Sequence, residues 1–106
     1  MRAGELRHRI TIQHLVEVID QHNTPNMVWQ DFATVWAAVE PIRGREYIQT
    51  KNTQSELTVR IRIRYYAGIN ATMRVVYGSR MFNIADVIDI EERHKEMHLM
   101  CVEVSV

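Results

Sequence analysis

Three groups of side chains in this chain have types and spacings that could do chemistry. Arg60, Arg62 and Arg64 alternate with Val59, Ile61 and Ile63 in the run Thr-Val-Arg-Ile-Arg-Ile-Arg-Tyr, residues 58–65. Guanidinium groups on one face could grip carboxylates bidentately or contact phosphates. His94 and His98 lie four apart, a spacing that puts two metal ligands on one face of a helix, with Asp86 or Asp89 as a conceivable third. Asp86, Asp89, Glu91 and Glu92 form an acidic cluster that could hold paired carboxylates for acid–base work.

The elements that carry these residues decide among the options. Successive side chains on a strand point to opposite faces, so the alternation over 58–65 reads as a strand with one apolar face and one arginine face. Three like charges on one face repel. They need acidic neighbours, solvent, a partner protein or a polyanion. A solvated ion-paired face, a surface for another subunit and a phosphate contact all remain open. The pattern around His94 and His98 is β rather than helical, which reads as solvated or hydrogen-bonded histidines and no metal site. The acids read as cross-strand partners of arginines rather than as a catalytic pair.

Elsewhere the search for chemistry is negative. Gly4, Gly44, Gly68 and Gly78 are isolated turn residues, not a phosphate-binding loop. No serine sits in a nucleophile-elbow context. Cys101 is the single cysteine and lies in the apolar run Leu99-Met100-Cys101-Val102, so a buried structural thiol is expected. No cofactor and no enzyme activity are expected. The chain has 106 residues, enough for one domain over 1–106, with 46% apolar and 25% charged residues. Thirteen basic residues balance thirteen acidic ones, which speaks against an autonomous nucleic-acid binder. The N-terminal run Met-Arg-Ala-Gly-Glu-Leu-Arg-His-Arg has no apolar stretch of the signal-peptide kind, and no run approaches the roughly 20 residues that span a bilayer.

The pattern predicts six strands. A first covers Arg9 to Leu15. Residues 16–27, with Asp20-Gln21-His22-Asn23-Thr24-Pro25-Asn26, read as a loop. A second strand runs from Val28 to Glu40, where a bulge near Asp31-Phe32-Ala33 could place Trp29 and Trp36 on one face, toward the core. Residues 42–57 are polar with little core-forming power, a long loop or a short helix over about 44–53. The arginine strand follows. Arg74 to Tyr77 and Arg80 to Ile84 flank Gly78-Ser79, a two-residue hairpin of type II′. The latter strand can continue to Ile90. Glu91 to Lys95 is a charged turn, and Glu96 to Val104 is a last, central strand. All-β antiparallel organisation follows, as a small closed barrel or compact sandwich.

The ordered segments resemble the head–tail joining proteins of tailed bacteriophages, also called head-closure, head-completion or stopper proteins. The resemblance begins with Gly4-Glu5-Leu6-Arg7-His8-Arg9-Ile10-Thr11-Ile12-Gln13. It continues through Thr34-Val35-Trp36-Ala37-Ala38-Val39-Glu40-Pro41, Gly44-Arg45-Glu46 and Arg60-Ile61-Arg62-Ile63-Arg64-Tyr65. Gly68-Ile69, Met73-Arg74-Val75-Val76-Tyr77-Gly78, Phe82-Asn83-Ile84, Val87-Ile88-Asp89 and Glu92-Arg93 complete it, with a closing strand around Cys101. It implies a small β-barrel, a ring of copies, commonly twelve-fold, and a place in the virion below portal and adaptor proteins, reached from the host cytoplasm during assembly. It implies a tail-completion protein as neighbour and packaged double-stranded DNA in the channel. The loop that would line this channel corresponds to about 42–57, with Gln49, Lys51, Asn52 and Gln54 as contacts. Arg60, Arg62 and Arg64 on one side, and Asp86, Asp89, Glu91 and Glu92 on the other, become candidate subunit or partner surfaces. The alternative is a small barrel that binds single-stranded nucleic acid through the arginine face with Tyr65, Tyr66 or Trp29.

Overall fold

The arginine strand sets the architecture. In the computed structural model, which describes residues 3–42 and 58–104, this strand is β3, Thr58–Arg64. Val59, Ile61 and Ile63 are fully buried, and Arg60, Arg62 and Arg64 point outward. Around it lie β1 His8–Ile19, β2 Pro25–Pro41, β4 Arg74–Tyr77, β5 Arg80–Asp89 and β6 Glu96–Glu103. They close an antiparallel barrel in the order β1-β2-β3-β6-β5-β4. Closure removes the exposed edges that an open sheet of this size would carry.

Each strand contributes to one core: Ile10 and Ile12, Ala37 flanked by Val35 and Val39, Ile61 and Ile63, Val75, Phe82 and Ile84, Leu99 and Cys101. Burial of each large aliphatic side chain stabilises the fold by about 1.5–3 kcal/mol. Ile61, at 0% exposure in the middle of β3, is a position where truncation to Ala would cost about 2–5 kcal/mol. β6 lies between β3 and β5, and its consecutive Leu99, Met100 and Cys101 are all buried, as expected of a central strand. β5 continues past Ile84 to Asp89 through a bulge at Ala85. Gly78 has φ 61° while Ser79 stays out of the positive-φ region, which fits the type II′ turn.

The first two strands depart from expectation. Residues 16–27 are mostly strand, not loop: β1 runs on to Ile19 and β2 starts at Pro25. The loop shrinks to the five residues from Asp20 to Thr24. Its turn closes by Asn23 N–H donating to the Asp20 carbonyl at 3.1 Å, with Asn23 at φ 60°. Asn tolerates that left-handed conformation, and Asp20 holds the turn by accepting from the backbone N–H groups of His22 and Thr24 at 2.8 and 2.9 Å. Those two bonds hold the Asp20 carboxyl below its usual range.

β1 pairs with β4 only over Thr11–Gln13, and β2 pairs with β3 only from Ala37 onward. From His14 and Gln30 to the tip, the two strands pair with each other alone and form an arm beyond the barrel. At about 3.3 Å per residue the 17 residues of β2 would span roughly 55 Å if straight, more than the molecule's 48 Å long axis, so β2 runs its full length and bends.

The register of β1 on β2 shifts between Ile12 and Gln13, skipping Phe32. The bulge therefore falls where the sequence suggests one, and it puts Trp29 and Trp36 on the same face. That face is the outer one. Trp36 pairs with Arg9 and is half exposed, and Trp29 pairs with Leu15. Phe32, the bulged residue, packs against the core instead and meets His14 and Tyr66 edge-on.

Candidate assembly interface

The outer face of β3 is the first candidate surface, and its charges are largely met from within the chain. Glu40 lies directly opposite Arg60 on β2 and diagonal to Arg62. Arg60 Nε donates to Glu40 Oε1 at 3.0 Å and Arg62 Nε to Oε2 at 3.1 Å. Arg62 Nη1 also reaches Glu5 at 3.1 Å, in the short 3-10 turn Ala3–Glu5, and lies 3.9 Å from Glu96. Burial disfavours the Arg62 charge, but the bonds from Glu5 and Glu40 outweigh it and hold its pKa above the usual value. On the far side of the row, Glu96 Oε2 is 2.6 Å from His98 Nε2. Arginines and glutamates thus form one cross-strand network that joins the N-terminal turn, β2, β3 and β6.

Arg64 stands apart. It is exposed and makes no ion pair among the described residues. It lines an open cleft of about 560 Å³ with Tyr65, Ile90, Glu91, Arg93 and Lys95. Arg64 pairs with Glu96 in the ladder and follows Ile63, which pairs with Ala37. The cleft therefore sits at the barrel end from which the arm projects.

The acidic cluster does not partner the arginines of β3. Asp89 closes the turn after β5, accepting from His94 N–H at 3.0 Å and contacting His94 Nδ1 at 2.5 Å. Glu91 lies 3.6 Å from Arg93, both well exposed, and Asp86 caps its own neighbour, Val87 N–H, at 3.1 Å. Glu92 is exposed. Glu91, Glu92 and His94 all have φ near 55°, a conformation that costs such residues about 1–2 kcal/mol each. His94 and His98 engage different carboxylates and do not converge, and no group of three potential ligands gathers among the described residues. Cys101 is buried, and burial pushes its thiol up to about 12, so it is no nucleophile. Gln49, Lys51, Asn52 and Gln54, and the helix expected over about 44–53, lie outside the described residues.

Glu5, Glu40 and Glu96 were not marked by sequence reasoning as the partners of the arginines. Glu40 alone carried a local signal, as the acid at the end of its strand, just before Pro41.

A model of phage head completion proteins matches residues 1–104. The chain belongs to that family. Membership gives this head completion protein a structural role in the phage head. Among solved structures it is similar to protein SF1141 from Shigella flexneri 2a, with 33% identity and a TM-score of 0.80 over 99% of this chain and 98% of that one. It also shares its fold with a chain of the virion of a native gene transfer agent particle, at 21% identity and a TM-score of 0.66 over 95% and 97% of the two chains. A comparison with curated proteins gave no match. The all-β barrel expected of a head completion protein is the one observed, with β1 to β6 all inside the matched span.

Proposed function

We propose that this protein assembles as a ring, of about twelve copies, at the opening of the filled head. The ring closes the DNA channel after packaging and presents the docking surface for the tail. The observation that carries this reading is the head completion family's match along the whole barrel. The gene transfer agent chain of the same fold belongs to a virion particle, which agrees with a place in a virion here.

In this reading the portal or adaptor protein lies on one side of the ring and a tail-completion protein on the other. The segment around Gln49, Lys51, Asn52 and Gln54 faces the packaged double-stranded DNA. Its roots are Ile42 and Thr58, bound through Ile42 N–H to the Thr58 carbonyl at 3.0 Å, at the barrel end opposite the arm. A head-to-tail ring needs two different complementary patches on each copy. The outer face of Arg60, Arg62 and Arg64 and the turn of Asp86, Asp89, Glu91 and Glu92 are the surfaces assigned to subunit or partner contact. Family membership in a structural class agrees with a role without catalysis. Single-stranded nucleic-acid binding draws on no comparable observation: Glu40 and Glu5 already engage Arg60 and Arg62, and Arg74 covers Trp29.

Electron microscopy of filled heads made without this protein tests the reading. Heads should lose DNA and fail to join tails. Heads that keep DNA and accept tails would sink it.

A further inference from the structure

The arm presents a face that its own chain covers only at the root, where Arg74 lies over Trp29. Directly opposed residues on paired strands share a face. Leu15 opposes Trp29, Glu17 opposes Met27 and Ile19 opposes Pro25, so these six side chains form one surface. Ile19 is 66% exposed, Met27 59% and Leu15 43%. A two-stranded ribbon is marginal in water by itself, and an exposed apolar strand pair invites association. Glu17 sits amid the apolar residues.

Charge says what covers this face. Residues 14–31 contain Glu17, Asp20 and Asp31 and no Lys or Arg, a net charge of −3. The whole chain is neutral, so the rest carries thirteen basic against ten acidic residues, or +3. Arm and body are therefore complementary to each other. The arm projects away from its own barrel, which leaves the body of another copy as the matching surface. The body offers a cleft with the right chemistry: Tyr65 and Ile90 supply apolar walls, Glu91 already engages Arg93, and Arg64 and Lys95 against Glu96 leave a net positive charge for a carboxylate. Among the described residues Arg64 has no ion pair at home.

We infer that the arm of one copy docks on the next copy, with Glu17 against Arg64 and Lys95 and with Ile19 and Met27 against Tyr65 and Ile90. Arm and cleft are different surfaces, so the contact is head-to-tail and propagates around a ring. This rests on the ring reading above and assigns its contact to particular residues.

The wild-type chain carries its own probe. Its only lysines are Lys51 and Lys95. A 1:1 mixture of ¹⁴N- and ¹⁵N-labelled protein is concentrated until it oligomerises, treated with a zero-length carbodiimide and digested for mass spectrometry. The expected product is a mixed-isotope peptide that joins Glu17 to Lys95. Oligomers whose intermolecular links to Lys95 all come from acids outside 14–31, or that leave Lys95 unlinked, overturn the assignment while leaving the ring standing. A chain that forms no oligomer, in solution or in heads, overturns both.

A charge swap gives an independent readout. Glu17→Lys and Arg64→Glu, both at exposed sites, should each weaken self-association roughly tenfold or more, and mixing the two variants should restore it in part. Unaltered thermal melting of the dilute variants shows that the barrel itself is intact. Variants that associate like wild type count against the docking.

Discussion

Arg74 lies over Trp29 with its guanidinium carbon 4.1 Å from the ring centroid. The same side chain donates from Nε to Gln13 Oε1 at 2.8 Å, and Gln13 in turn donates to Asp31 at 2.9 Å. Arg74 belongs to β4 and Trp29 to the root of the arm. The stack clamps the arm where it leaves the barrel. Arg74→Ala should lose about 0.5–2 kcal/mol of local stability. Hydrogen exchange should quicken over residues 15–29 and stay slow in β3 and β6. A uniform change across the barrel would show that the stack holds the fold rather than the arm.

Glu40 serves two arginines at once, so its loss should exceed that of a surface ion pair. With Arg62 mostly buried, Glu40→Gln should destabilise the protein by about 1–3 kcal/mol, measured by urea unfolding. Removing a charge at Arg60 as well, through Arg60→Gln, should recover part of this. Additive losses in the double variant would count against the shared network.

Gly68 has φ 95°, and a Cβ there would meet the Phe32 ring at 3.0 Å. Gly68→Ala should cost about 1–3 kcal/mol from backbone strain and displacement of Phe32. Gly4→Ala meets open space and should be near neutral. Equal melting temperatures for the two variants would refute the distinction.

The Asp20 carboxyl titrates lower in the folded arm than in the unfolded chain. A depressed carboxylate adds stability that is present above its unfolded value, near 3.8, and is lost as pH falls through the folded one. The arm should therefore loosen below about pH 4. Glu103, which accepts two bonds from Arg80, is depressed as well and should loosen the β5–β6 end over the same range. Amide exchange around His22 and Thr24 at pH 5 and pH 3 checks the first effect. Asp20→Asn should flatten its pH dependence.

The Cys101 thiol behaves in the opposite sense. Its folded pKa is raised to about 12, so above pH 9 the unfolded chain ionises while the folded one does not. Stability should then fall by up to about 1.4 kcal/mol per pH unit until the folded thiol titrates. Cys101→Ala should remove that slope. Native protein should also resist alkylation at pH 8 and react quickly in urea.

Much of the barrel was legible because alternation reports burial directly. Val59, Ile61 and Ile63 face the core as their spacing demands, and Gly78-Ser79 turns where two β-rich runs meet. The arm was missed because Asp20 to Asn26 is polar and contains Pro25. Pro25 starts an edge strand, where the missing N–H costs no ladder bond. The run Val16-Glu17-Val18-Ile19 held the strand signal, but its apolar residues have no core to enter. The two tryptophans were placed on one face correctly and on the wrong side, since parity gives shared faces and not which face is buried. The partners of the arginines were illegible for another reason. Glu40 and Glu5 lie 20 to 57 residues away, and only barrel closure and strand register bring them in.

Residues Pro41 and Val59 are ladder partners, and Ile42 binds Thr58 just beyond them. The barrel therefore holds Ile42 and Thr58 side by side. Doubling the length of a flexible loop closed in this way costs only about 0.6 kcal/mol more. Added length between these two anchors should therefore leave strand register, core and arm as they are.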